Sequence, residues 1–434
     1  MDRRDFIQQA LGFAAAGAVR IPLVEAEAIT GSRDRGNDLA SGMPGVRPDA
    51  QANAGPLPSP EQRKLIVVIF GGGTRFSESI GDPEHRYIPR LWSELAPRGT
   101  LFTHARADGT IVHTNCTAAI LTGHIEYEDN DWSRPVDHPT VFEILRRSRR
   151  AADTSAWAFV YASILAKTGE SRAAGYGREF AANVVEPPTI PRVTADEMTG
   201  WMQRAAASGS VSAELEAARR CAEMARTASR IATGGLRSDA AWDFLEREYT
   251  AWKHGTGTTS HDAFLTDRAI ACMRRFAPDV LTVALGEIDC AHYGSWSRYV
   301  EAIRRTDELT WRLWRAAEEL DAYRGRTLLL VVPDHGRELD REGGMGFIHH
   351  SDFYTGQDTD EGCRRVWMLA VGAGVKPGVK IDRPVSTRCA AATGLAYLGL
   401  QASPGAAPSL WEEIRAARGG TGVTDQAGRR AGRD

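Results

Sequence analysis

The sequence lacks an excess of either charge: 56 acidic residues face 53 basic ones in 434. That balance removes the broad field that nucleic acid or an anionic membrane surface would call for in a partner. It also lacks any Cys-x-x-Cys pair. The six cysteines, Cys116, Cys221, Cys272, Cys290, Cys363 and Cys389, are scattered, which argues against a thiolate zinc knuckle and a thioredoxin-like redox site. No fixed-period repeat is present. Large apolar residues are almost missing from residues 29–60, where Gly, Pro, Ser, Asp and Ala dominate. Such a stretch cannot bury enough surface to fold alone and reads as a flexible tether. Residues 416–434, rich in Gly and Arg, read as a disordered tail.

At the N-terminus Arg3-Arg4 precedes Asp5, Phe6 and Ile7, and a modest apolar run follows over 10–19. The run is too short to span a bilayer. Residues 1–28 resemble a twin-arginine export signal, with Ala26 and Ala28 as small residues near a cleavage point. The expected location is therefore the periplasm or the exterior.

What remains, residues 61–415, contains three short apolar runs of the kind expected for strands buried on both faces: 65–70, 280–285 and 327–332. Each ends in residues with chemical potential. The first leads into Gly71-Gly72-Gly73, the second into Glu287 and Asp289, the third into Asp334-His335-Gly336. Helical patterns at 89–95, 141–149 and 299–320 fall between them. The alternation predicts one α/β domain, and ligands of parallel sheets bind beyond the carboxyl ends of strands, so the three endings predict a shared cleft. An Ala-, Glu- and Arg-rich stretch over about 194–250 predicts a helical insertion beside the core or over that cleft.

A carboxylate and an imidazole placed together at a strand end, as in Asp334-His335, are suitable ligands for zinc or a similar ion. A second such pair, Asp289 and His292, is three residues apart, a spacing at which one turn directs both side chains to one ion. A third cluster, Gly346-Phe-Ile-His349-His350-Ser351-Asp352, follows shortly after; His350 is the preferred ligand, with His349 the alternative. Finally, His113-Thr114-Asn115-Cys116-Thr117 opens an Ala-rich segment ending at Thr122-Gly123. A hydroxyl at a helix N-terminus next to a cation is a competent nucleophile. Taken alone, Asp334-His335 and the threonine segment read better as ordinary helix caps, and Asp289/His292 has the same alternative at about one chance in four.

In order along the chain, the Ile120-Leu121-Thr122-Gly123 segment, the Asp289/His292 pair, Asp334-His335-Gly336 and His350 resemble the alkaline phosphatase superfamily, which includes phosphodiesterases and sulfatases. The stretches Trp367–Gly378 and Ala390–Gly394 give softer support. The resemblance implies a three-layer α/β/α fold around a mostly parallel sheet, and two divalent ions, zinc first, manganese or iron otherwise. Asp289, His292 and His350 would hold one ion; Asp334 and His335 would hold the other. Thr114 would be the nucleophile, with Thr117 the alternative, and Asn115 would donate to a substrate oxygen. His113, which falls where several relatives place the nucleophile, or His124 would act from behind a ligand or meet the substrate. The implied substrate is a small phosphate ester. Cys116 lacks the Pro and Arg that follow the converted cysteine of sulfatases, which points away from that branch.

One departure stands out. Relatives end the first strand with a metal-binding aspartate, and Gly71-Gly72-Gly73 occupies that place. Glu78 or Asp82 would have to reach back to replace it, or the triglycine amides and Arg75 would take an anion instead. The competing expectation is thus a degenerate relative that binds a ligand or partner without turnover.

Overall fold

The computed structural model describes residues 57–189, 192–255, 260–293, 296–338 and 361–416. The central strand is β1 (Lys64–Phe70), whose residues 65–70 are almost entirely shielded from water on both faces. A continuous run of Leu, Ile, Val and Phe suits that position, since both faces of a central parallel strand are covered. The strands β2 (Gly99–Arg106), β3 (Ala156–Val160), β4 (Asn183–Val185), β5 (Val280–Leu285), β6 (Thr327–Val332), β7 (Arg365–Gly372), β8 (Val379–Ile381) and β9 (Val385–Ser386) complete a nine-stranded sheet. Its order is β4-β3-β5-β1-β6-β7-β2-β8, with β9 also pairing β2. All pairings are parallel except those of β7 with β6 and β2.

The register brings three strand ends level. Phe70 is opposite Leu285, and Ile69 is opposite Val332, so Gly71, the segment after β5 and the segment after β6 emerge side by side. Strands 1, 5 and 6 were expected from sequence, and so was the strand at 367 onward. β2 and β3 were not, being short or interspersed with Thr, His and Arg.

The longer helices among the described residues are α1 (His113–Thr122), α2 (Val141–Arg149), α3 (Arg192–Ala207), α4 (Val211–Ala228), α5 (Asp239–His254), α6 (His261–Phe276), α7 (Trp296–Glu319) and α8 (Cys389–Tyr397). α6 and α7 pack on each other and on the sheet; α8 packs on β6 and gathers α1 and α2. The result is a three-layer α/β/α arrangement. α2 starts where Thr140 and Glu143 form a reciprocal capping box. α7 buries Tyr299, Ala302, Ile303, Thr306, Leu309, Leu313 and Trp314, the three- and four-residue spacing of an amphipathic helix. The pattern expected at 89–95 forms a π-helical turn, Leu91–Leu95, followed by a 3-10 turn at Ala96–Arg98. Pro97 has no amide to continue an α-helix, and the Asp307 carboxylate takes the amides of Arg90 and Leu91 instead.

Between β4 and β5, α3 and α4 pack against each other, while α5 places Phe244 on Trp157 and Phe276 of the core. No helix among the described residues is long and apolar enough to cross a membrane. None of the six cysteines is joined in a disulfide among the described residues. The expected export signal, most of the tether, the tail beyond 416 and the segment carrying His349 and His350 lie outside the described residues.

Candidate metal centre at the strand ends

Asp334 and His335 follow β6 and are fully buried. The His335 amide donates to Asp334 Oδ1 (2.9 Å), which fixes the carboxylate. The His335 ring lies with Nδ1 2.9 Å from the Gly336 carbonyl oxygen. A carbonyl only accepts, so Nδ1 carries the proton and the Nε2 lone pair faces the cluster. This is how an imidazole is oriented when it serves as a metal ligand.

The third member comes from the first residue of α1. His113 Nδ1 lies 2.7 Å from Asp334 Oδ2 and 3.0 Å from His335 Nε2. On the opposite edge of the same ring, His113 Nε2 lies 3.4 Å from Asp289 Oδ1. Asp289 sits in a 3-10 turn, Glu287–Tyr293, directly after β5. The turn is held from below by the buried Asp262 carboxylate, which accepts the amides of Gly286 and Glu287 (both 2.9 Å). Burial and the neighbouring Glu287 raise Asp262 to about 8.

The electrostatics follow from this packing. Burial alone would strip the proton from His113, but Asp289 and Asp334 outweigh burial and lift its pKa to about 10. Burial likewise opposes the charge on Asp334, yet His335 and His113 hold it at about 2. For His335 burial wins, with His113 adding repulsion against the attraction of Asp334, and the pKa falls to about 4. In the metal-free protein a proton on His113 therefore sits among the three donor atoms where a cation would fit.

Two glycines make this convergence possible. A Cβ on Gly71 would stand 2.5 Å from the Leu285 carbonyl oxygen and 3.5 Å from Asp334 Oδ2. Gly72, at φ +95°, has the Asp289 amide nitrogen 2.5 Å from where its Cβ would be. A side chain at either position would push the strand ends apart.

Other residues singled out in the sequence are placed differently. Asn115 does not face the cluster: it donates to the Tyr127 carbonyl and Asn130 and accepts from the Trp132 indole. Two residues along a helix turn it about 200° away from His113. Glu78 does not reach back either, since it pairs with Arg75 and accepts from the Tyr299 hydroxyl. Asp82 is engaged by Arg86. Arg75 is tied to Glu78 and to the Glu338 carbonyl, and the triglycine carbonyls of Gly72 and Gly73 accept from the buried Arg337 guanidinium. An anion cradle with Arg75 is thus not preformed. His124 stacks on His138 and meets Ser403, in a different part of the fold. Thr114 and Thr117 are fully buried, and neither Oγ1 has a hydrogen-bond partner among the described residues. His292 lies in the turn after β5, but its side chain is outside the description.

Sequence reasoning missed Tyr161. It follows β3, packs edge-on to His113 with ring centroids 5.9 Å apart, and its buried hydroxyl has no hydrogen-bond partner among the described residues. Burial first, then Asp334 and Asp289, pushes its pKa well up. Recognising 156–160 as a strand would have placed Tyr161 at a fourth strand end in the same cleft.

No family model and no curated protein matches the chain. Among solved structures, that of Ps i-CgsB superposes with a TM-score of 0.50 at 15% identity, over 81% of this chain and 76% of that one. A member of the alkaline phosphatase superfamily from Vibrio parahaemolyticus gives 0.47 at 13% identity, over 96% and 80%. The likeness to Ps i-CgsB is one of fold. The alkaline phosphatase PafA gives 0.46 at 12% identity, over 83% of this chain and 100% of that one. At such identities the likeness is one of fold. The position after β1 carries glycine where the sequence resemblance implied an aspartate, and an imidazole stands at the start of α1.

Proposed function

We propose that this chain is a divergent alkaline phosphatase-superfamily hydrolase that uses divalent metal to cleave small phosphate esters outside the cytoplasm. The observation that carries the reading is the convergence of Asp334, His335, His113 and Asp289 from three separate elements at the ends of the central strands. The buried Asp334 carboxylate and the two buried imidazoles beside it form a donor set whose chemistry suits zinc, manganese or iron. A cation bound there supplies Lewis-acid charge for the ester oxygens.

The protein's own groups do the rest. Thr114, beside His113 at the start of α1, is the proposed nucleophile; Thr117 is the alternative. The Thr114 hydroxyl would attack phosphorus in line with the ester oxygen, which leaves as the alcohol carrying the threonine proton. Water would then hydrolyse the phosphothreonine to free phosphate. Tyr161 is the proposed donor to a substrate oxygen. The charged termini of the resemblance, Arg3-Arg4, support export, and the missing Pro and Arg after Cys116 favour phosphate over sulfate esters. The test is turnover of p-nitrophenyl phosphate, bis(p-nitrophenyl) phosphate and p-nitrophenyl sulfate by metal-loaded protein, with Thr114→Ala and Thr117→Ala alongside. Phosphate-ester turnover lost in Thr114→Ala supports the full reading. Loss only in Thr117→Ala moves the nucleophile, and preference for the sulfate overturns the substrate class.

Glycine in place of the strand-end carboxylate favours a second reading, a binding protein that keeps the site without turnover. Metal uptake with no hydrolysis of any of the three esters selects it.

A further inference from the structure

We infer that the cluster at the strand ends holds a single divalent cation between Asp334, His335 and His113, and that Asp289 stands behind His113 as its orienting carboxylate. The inference rests on the metal-dependent reading above and departs from the two ions that the sequence resemblance implies.

The donor atoms make the first argument. His113 Nδ1, Asp334 Oδ2 and His335 Nε2 are separated by 2.7, 3.0 and 3.6 Å. A tetrahedral ion with bonds of roughly 2.0–2.1 Å has ligand atoms about 3.3 Å apart, so one ion enters with small adjustments. The three are the one group of donors with metal-binding spacing among the described residues.

Asp289 makes the second. It approaches the other ring nitrogen of His113, at 3.4 Å, so the imidazole lies between it and the Asp334–His335 pair. A ligating imidazole commonly passes its second N–H to a carboxylate, which sets the tautomer and strengthens the ligand. The Asp262 clamp on the Gly286 and Glu287 amides and the close approach of Gly72 hold the Asp289 turn in that position. His113 thereby replaces the ligand that Gly71 does not provide, from a different element of the fold.

Charge makes the third. Asp334 and Asp289 contribute two negative charges, which one divalent cation balances. The buried guanidinium of Arg337 adds a positive charge at the triglycine carbonyls (2.9 and 3.1 Å). Nearby Glu78 and Asp82 are committed to Arg75 and Arg86.

The experiment uses the full chain, stripped with chelator and dialysed against Mn²⁺ or Zn²⁺. Elemental analysis is expected to give one ion per chain, and the Mn²⁺ electron paramagnetic resonance spectrum to be that of an isolated ion. His113→Ala should lose stoichiometric binding, while Asp289→Asn should still take one ion with affinity lowered roughly 10- to 100-fold. Two ions per chain, a spin-coupled spectrum, or binding unaffected by His113→Ala overturns the inference. If His113→Ala does not fold, the wild-type stoichiometry and spectrum decide. One ion without ester hydrolysis sinks the enzymatic reading and leaves this one standing; two ions with hydrolysis does the reverse.

Discussion

His113 shows how far a single residue's environment governs the centre. Its neighbours keep it protonated in the metal-free protein, with a pKa of about 10, whereas His335 at about 4 is already neutral. Ligands must be deprotonated to bind metal. Cation uptake at pH 7 should therefore release about one proton per chain, and affinity should rise roughly tenfold per pH unit toward pH 9. Calorimetry in buffers of different ionisation enthalpy measures both; no proton release would contradict the assignment of His113. Asn115 is the contrasting neighbour. Because its amide satisfies Tyr127, Asn130 and the Trp132 indole, Asn115→Ala should cost about 1–3 kcal/mol of stability by stranding buried partners. Its effect on metal affinity should be small, as chemical denaturation and metal titration would show.

At the level of elements, the strand ends decide the geometry and the glycines permit it. Gly71→Ala puts a carbon 2.5 Å from backbone oxygen, where no flexible side chain can yield. The strand junction must shift, so the substitution is expected to destabilise by about 1–3 kcal/mol and weaken metal binding together. A neutral outcome in both measurements would show that β1 and β5 are not packed as described. The start of the Leu91–Leu95 turn gives a pH signature. Burial raises Asp307 to about 7 although it accepts two amides. A carboxyl with a raised folded pKa binds more protons folded than unfolded between pH 4 and 7, so its contribution falls as pH rises through that window. The stability difference between Asp307→Asn and wild type should therefore move in the variant's favour from pH 4 to pH 7, in parallel denaturant titrations. A difference independent of pH would refute the linkage.

Over the whole molecule, the sheet couples metal to folding. The apolar residues of 65–70, 280–285 and 328–332 belong to a single core, and the candidate ligands Asp289, Asp334 and His335 follow the ends of two of these strands. A cation that binds only the folded chain adds about 2.7 kcal/mol at a concentration a hundred times its dissociation constant. Chelation should thus lower the melting temperature by a few degrees, restored by the metal and read by calorimetry. An unchanged melting temperature would mean that the folded chain binds no metal tightly.

The sequence by itself determined the α/β class, the three central strands and the acidic and imidazole residues at their ends, because apolar runs bounded by polar clusters are local signals. The helices at 141–149 and 299–320 were legible for the same reason. What tertiary structure decided was partnership. Whether His113, Thr114 or Asn115 faces Asp334 depends on the rotation of α1 against β6, more than 200 residues away in the chain. That Glu78 is spent on Arg75 and Tyr299, and that Tyr161 joins the cleft, follows from packing between distant segments. No spacing along the chain encodes those contacts; they exist only where the sheet brings the strand ends together.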